Sequence, residues 1–287
     1  MRPSSREAGT PKLVVFGNRH EHFKKSVLGK VAGRYFTSVE GSEWMLDPRE
    51  GEHLIFLQWD VGRPIDPNAY RAIGGHKVIN DGGFSTDKKN VQKHMMLAFG
   101  YSQAIDPLTH RGKGVAKSRR NALHDGKVVG FPLAEADPSK VYEALIDNAG
   151  EDGTVCDIRV GVLLGKIFIA YLKYRPAETR FSNRNACAKL ARPDDVLSKD
   201  EQDRIVRFCA SIMLDYGELD VLRDGPSGRI YIVDANNTPF GPPNHISDAE
   251  KEQAMRIIAD TFAAHAARYG SNPRLPFHRR VLRRLLS

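Results

Sequence analysis

The chain has 287 residues, enough for one large domain or two or three small ones around a sizeable core. Its 41% hydrophobic and 27% charged residues are ordinary for a globular protein, and no apolar run approaches the ~20 residues of a membrane span. The net charge of +8 is compatible with nucleic acid, an anionic membrane surface or a polyanionic small substrate, and selects none of them. Part of that charge is local, because Arg268, Arg274, Arg279, Arg280, Arg283 and Arg284 crowd the last twenty residues. Cys156, Cys187 and Cys209 are odd in number, widely spaced and without C-x-x-C. This argues for a reducing, cytoplasmic compartment and against a disulfide framework or a zinc site.

Residues 1–11 have no apolar core, so they read as a flexible tail rather than a secretory signal. Lys12 to Gly17, KLVVFG, reads as a buried strand, and His53 to Trp59 and His76 to Asn80 as two more. Strands separated by mixed segments predict a small α/β domain over 12–80. His20-Glu21-His22 is too short for H-E-x-x-H and reads as the start of a loop; Asp60 to Pro64 reads as a loop leaving a strand end.

Ser85-Thr86-Asp87 opens a helix with Val91, Met95, Ala98 and Phe99 at helical spacing, and Gly100 closes it. Arg111 to Ser118 is basic, with Lys113 and Lys117 either on a strand or in a solvated loop. Asp137-Pro138-Ser139-Lys140 looks locally like a helix start. Asp157-Ile158-Arg159-Val160 begins a hairpin that turns near Leu164-Gly165-Lys166 and continues through Lys173 and Arg175. Arg180 to Asn185, RFSNRN, reads as a substrate loop or an exposed linker. Ser198 to Glu201 is a capping box opening a helix with Ile205, Phe208, Ile212 and Met213 on one face. Ser247 to Glu250 is a second box, whose helix runs to about Tyr269. Phe277, Val281 and Leu285 in the tail would form a stripe packing on its own domain or lying on a membrane surface.

The strongest chemical signal lies between those two boxes. Gly217 to Pro239 reads as a hairpin, with Leu219 to Leu222 and Arg229 to Val233 as arms and Asp224-Gly225-Pro226-Ser227-Gly228 as the turn. Asp234 and Asn236 are two apart and share a face if the chain stays extended, and pairing brings Asp220 beside them. Two carboxylates and an amide oxygen are hard ligands suited to Mg²⁺. The plainer reading is a surface hairpin with acidic ends, but an Asp in IYIVDA is costly to bury without a partner.

This hairpin resembles the metal-binding hairpin of the ATP-grasp superfamily, with Asp220 and then Asp234-Ala235-Asn236 at the matching positions. Val78 to Ser102 resembles the entry to an ATP-grasp core, and the resemblance covers about 76–246. It implies an α/β protein with α+β subdomains: the N-terminal domain, an ATP-grasp core of two subdomains over 81–270, and a basic tail over 271–287. It further implies ATP and Mg²⁺ as cofactors, with Asp220, Asp234 and Asn236 on the metal. Lys117, or Lys113 in its place, would meet the nucleotide phosphates. Glu143, in the segment matching the family's hinge between subdomains, would hold the ribose. Arg159, with Lys173 or Arg175, would meet the transferring phosphate, where a guanidinium fork fits.

Two departures stand out. Most ligases of the superfamily carry Glu where this chain has Asp234, while some of its kinases carry Asp. The expected phosphate loop, Ser118 to Gly130, has only Gly126 and Gly130, so Arg119, Arg120 and Lys127 would supply by charge what backbone amides supply elsewhere. The first reading is a ligase that activates a carboxylate as an acyl phosphate for attack by an amine. The alternative is a kinase phosphorylating a hydroxyl acceptor such as a sugar or polyol. A basic nucleic-acid or membrane module is the third reading. It needs interleaved basic and aromatic residues, which only RFSNRN and the tail offer, so nucleic acid is not the expected partner. The acceptor, small molecule or polymer, is not identified by the sequence.

Overall fold

A computed structural model describes residues 12–41, 54–60, 65–73, 76–82, 85–120, 123, 125–181 and 185–269. The expected N-terminal tail and the basic C-terminal stripe lie outside them. Three sheets build the molecule. The first is parallel, in the order β2-β1-β3-β4: β1 is Lys12–Phe16, β2 Thr37–Glu40, β3 Leu54–Gln58 and β4 Val78–Ile79. Parallel neighbours need crossovers, and helices α1 (His20–Lys25), α2 (Val27–Tyr35) and α3 (Pro67–Ala72) lie in them. His20 therefore begins a helix and not the expected loop. Ser26 caps α2 by accepting from the Gly29 N–H, and the amphipathic α2 buries Val27, Leu28, Val31 and Ala32.

Helix α4, Lys88–Phe99, follows as the sequence predicts. Asp87 accepts from the Lys89 N–H at its start, and Gly100 ends it at φ 78°, a conformation open to glycine. The second sheet is antiparallel, β6-β5-β7, with β5 Gly112–Ser118, β6 Lys127–Phe131 and β7 Lys140–Ala144. The Asp137-Pro138 segment is a turn feeding β7 rather than a helix start. The Asp137 carboxylate accepts from the Ser139 N–H, and its carbonyl accepts from the Lys140 N–H.

The third sheet has five antiparallel strands in the order β10-β9-β8-β11-β12. They are β8 Thr154–Leu163, β9 Lys166–Pro176, β10 Cys187–Ala191, β11 Tyr216–Arg223 and β12 Ile230–Asn236. Leu164 and Gly165, at φ 47° and 80°, make the turn between β8 and β9, as two positive φ values in a two-residue hairpin loop require. The short helix α5 (Pro193–Val196) precedes α6 (Lys199–Ser211), whose capping box forms in both directions between Ser198 and Glu201. Helix α7, Asp248–Tyr269, closes the described chain, with Ser247 accepting from the Glu250 N–H at its start.

The two-residue period of the strands divides the five-stranded sheet into unlike faces. Ile158, Val160, Leu219, Val221 and Ile232 point to one side and are buried against Val91, Met95 and Phe99 of α4 and Ile205 and Phe208 of α6. Alternate residues carry charge on the other side. A second core joins the parallel sheet to the rest, with Leu57, Trp59 and Phe23 packed together with Tyr216, Ile258 and Phe262.

Candidate active site

The charged face of the five-stranded sheet is a ladder. Asp220 lies directly opposite Asp234 on β12 and opposite Arg159 on β8, and Arg159 lies opposite Tyr171 on β9. A bulge sits at the Asp220 position of the β11–β12 pair, where Asp220 faces Asp234 but Val221 faces Ile232, leaving Val233 as the extra residue. Asp220, Asp234 and Asn236 are thus brought onto one face, as the sequence predicts. Asp234 Oδ1 is buried with no hydrogen-bond partner among the described residues. Burial, reinforced by repulsion from Asp220, pushes its carboxyl up to about 6 despite Lys88, Lys117 and Arg159 nearby.

Asp220 has the opposite balance. Against the effect of burial, Arg159 and Lys173 hold its carboxyl well below the usual carboxylate range. Arg159 grips it as a fork, Nε to Oδ1 at 3.0 Å and Nη2 to Oδ2 at 3.2 Å, while Lys173 Nζ reaches Oδ1 at 2.7 Å. The amide oxygen of Asn236 is turned onto its own chain, accepting from the Thr238 N–H at 2.9 Å. Glu218, one step along the same face and 3.7 Å from Arg159, is pushed up to about 7 by burial against the pull of Arg159.

The three-stranded sheet supplies the opposing wall. Lys117 on β5 pairs with Glu143 on β7, Nζ to Oε2 at 2.7 Å, across a diagonal of the ladder. Gln92 of α4 donates to the other Glu143 oxygen at 2.9 Å. Lys117 Nζ also reaches the carbonyl of the bulged Val233, at 3.4 Å, so this lysine spans the two sheets. Lys113 lies exposed toward the start of β5, outside the lining of the cleft. Of the two expected lysines, Lys117 is the one in the cleft. Glu143 is buried, with both oxygens engaged by protein, so its geometry is that of a carboxylate fixing Lys117.

A cavity of about 130 Å³ opens between these walls, lined by Val115, Lys117, Glu143, Asp157, Asp220 and Val233 among others, with the segment after β7 at its side. Arg180 and Phe181 also line it. Arg180 donates to the Ile146 carbonyl and to Asn148 Oδ1, both at 2.7 Å. The described part of the expected substrate loop therefore borders this cleft; 182–184 lie outside the described residues. Arg175 is not on the Asp220 cluster. It is buried and paired with Asp157, Nη2 to Oδ2 at 2.6 Å, while Arg159 and Lys173 are the cations bonded to Asp220.

Lys88 was not singled out in the sequence. It is the first residue of α4, donates to the Arg120 carbonyl at 2.7 Å, and feels Asp234, Lys117, Glu143 and Asp125. Burial pulls its ammonium below its ordinary value against the attraction of Asp234. Its sequence signal was the Asp87-Lys88 step in the stretch that resembles the entry to an ATP-grasp core.

Among the solved structures that share this fold, three illustrate it. One is the ATP-grasp ligase PsnB complexed with minimal precursor, Mg and ADP, at 13% identity and TM-score 0.56, covering 89% of this chain and 98% of that one. The D-alanine–D-alanine ligase from Bacillus anthracis complexed with ATP is 12% identical at TM-score 0.54, with 91% and 99% covered. The VanG D-Ala:D-Ser ligase from Enterococcus faecalis is 10% identical at TM-score 0.55, with 90% and 100% covered. The chain has the ATP-grasp fold. No family model matches it, and no curated protein matches it by sequence. The parallel sheet is built from the N-terminal strands β1 to β4, and the cleft lies between the three-stranded and five-stranded sheets.

Proposed function

We propose that the protein is an ATP- and Mg²⁺-dependent ligase that activates a carboxylate as an acyl phosphate for attack by an amine. The observation that carries this reading is the juxtaposition of the Asp220–Asp234 pair, with the unpartnered Asp234 oxygen, and the Lys117–Glu143 pair across one cleft. The structural neighbours named above are ligases, and PsnB and the Bacillus anthracis enzyme are complexed with ADP and Mg, and with ATP, respectively.

The residues fit a divalent ion. An oxygen-only donor set with two carboxylates suits Mg²⁺, and a buried carboxylate oxygen without a donor is a ligand position. Asp234 and Asp220 would hold the ion with Asn236, and it would offset the negative charge of nucleotide phosphates. Lys117 is oriented toward phosphate by Glu143, whose carboxylate keeps the ammonium in the cleft. Arg159 and Lys173 are held over the ladder by Asp220, beside the position of phosphoryl transfer. A guanidinium and an ammonium fixed in a partly buried site favour the charge that develops on equatorial oxygens.

The test is the fate of ATP with a panel of acceptors. A ligase releases phosphate and ADP only when both an acid and an amine are present. A stable phosphorylated hydroxyl product would replace this reading with the kinase alternative.

A further inference from the structure

A second and larger cavity, about 570 Å³, lies beyond the metal end of the hairpin. Its size is that of a small-ligand site. It is lined from three directions: Arg19 and His22 from the parallel-sheet unit, Ser85 to Asp87 with Arg119 and Arg120 from the start of α4 and the end of β5, and Asn236, Thr238 and Phe240 from the end of β12. Its charge is one-sided. Asp87 is the only acid in the lining among the described residues and is already paired with Arg119, Nη2 to Oδ2 at 2.7 Å. Arg19 and Arg120 have no acidic partner among the described residues. His22 adds a neutral donor. The Trp59 indole N–H donates to its Nδ1 at 3.2 Å, so the ring proton resides on Nε2. Burial, with Arg19 adjacent, also lowers the His22 pKa.

We infer that this cavity is the acceptor site and that it selects an acceptor with a second anionic group, a carboxylate, remote from the one to be activated. The inference rests on the ligase reading. Asn236 belongs to both the metal cluster and the cavity lining, so a carboxylate lying at Asn236 meets the reacting end. A second carboxylate on the same molecule then extends toward Arg19 and Arg120, which approach from different units. Bridging them draws the parallel-sheet unit and the three-stranded sheet together over the acceptor. A neutral or cationic group there would leave two guanidiniums uncompensated beside a nucleotide site that is already cation-rich.

The chemistry is shared by small dicarboxylic acids and by acidic peptide segments, and the test separates them. Thermal unfolding of the full chain is followed at constant ionic strength with Mg·AMPPNP, first alone and then with glutarate, glutaramide, pentaglutamate or pentaglutamine. A rise in Tm with Mg·AMPPNP alone tests the ligase reading by itself, since only the folded cleft binds it. Loss of that rise would overturn the nucleotide reading. The titrations, also run without nucleotide, judge the cavity independently. We expect glutarate or pentaglutamate to raise Tm saturably and the amides not to do so. A response to glutarate assigns a small acid, and one confined to pentaglutamate assigns an acidic segment. Arg19→Ala should weaken that response on the order of tenfold, as loss of a charge-assisted contact implies, and Arg19→Glu should abolish it, with the Mg·AMPPNP shift kept in both. Equal responses to acids and amides, or wild-type anion binding in both Arg19 variants, would overturn the inference.

Discussion

Asp234 is where function and stability conflict. Its carboxyl is buried beside Asp220 with one oxygen unpartnered among the described residues, an arrangement that costs the folded chain and that a bound cation would relieve. Asp234→Asn is therefore expected to abolish Mg²⁺-dependent ATP turnover while the metal-free Tm holds or rises. Thermal melts beside turnover assays check both halves, and a fall in Tm with turnover retained would contradict the assignment. Arg159 offers a separate residue-scale test. Its fork on Asp220 is bidentate, which lysine cannot copy. Arg159→Lys and Arg159→Ala should both lower kcat, on the order of 10²-fold for the alanine, because a contact that strengthens as charge develops acts on the transition state. Steady-state kinetics at saturating ATP decide it: a normal kcat with a raised KM would confine Arg159 to ground-state binding.

At the scale of elements, one side chain ties the parallel sheet to the β11–β12 hairpin. Asn80, just after β4 and at φ 63°, is buried. Its Oδ1 accepts from the Asp215 and Tyr216 N–H groups, and its Nδ2 donates to the Tyr216 carbonyl at 2.8 Å. Removing the amide orphans two buried donors at the start of β11, so Asn80→Ala should cost about 3 kcal/mol or more, read from urea unfolding; a loss below about 1 kcal/mol would mean that water replaces the amide. This tie was not legible in the sequence, where Asn80 read as the end of HKVIN and as the Asn of the stretch resembling an ATP-grasp entry, with no partner indicated. What was legible followed local rules. The caps at Asp87 and Ser198, the Gly100 stop, the turn at Leu164-Gly165 and the Asp220–Asp234 hairpin are each written within a few neighbouring residues. The elements not placed in advance were α1, α2, β2, α3, β6, β7, β10 and α5, most of them short stretches whose order comes from neighbours distant in sequence. The pairing of Arg175 with Asp157 instead of with the Asp220 cluster was hidden for the same reason. Along a strand Lys173 and Arg175 share a face, and only the neighbouring strands decide which carboxylate each one meets.

The whole molecule depends on α7 lying against the parallel sheet, and that contact carries a titratable group. His265 of α7 is pulled down to about 4 by burial, with the Lys77 ammonium adding to the shift and Asp215 opposing it. Lys77 and Asp215 are themselves a buried ion pair, so the charges around the ring are fixed. A histidine whose folded pKa lies below its unfolded value of about 6.5 takes up its proton more readily in the unfolded chain. Its neutral form therefore stabilises the fold fully above pH ~6.5, and that contribution is lost as pH falls toward about 4, where the folded ring also protonates. The full loss is up to about 3 kcal/mol. Asp234 and Glu218 have raised folded values and work in the opposite sense, gaining stability as they protonate on the acid side. The measurement must therefore be a difference: urea unfolding of the wild-type chain and of His265→Gln, each at pH 7 and pH 5. The glutamine variant cannot titrate, so the wild type should lose more stability than the variant between the two values. Parallel losses would remove His265 from the linkage and leave the acid sensitivity of the fold to its carboxylates.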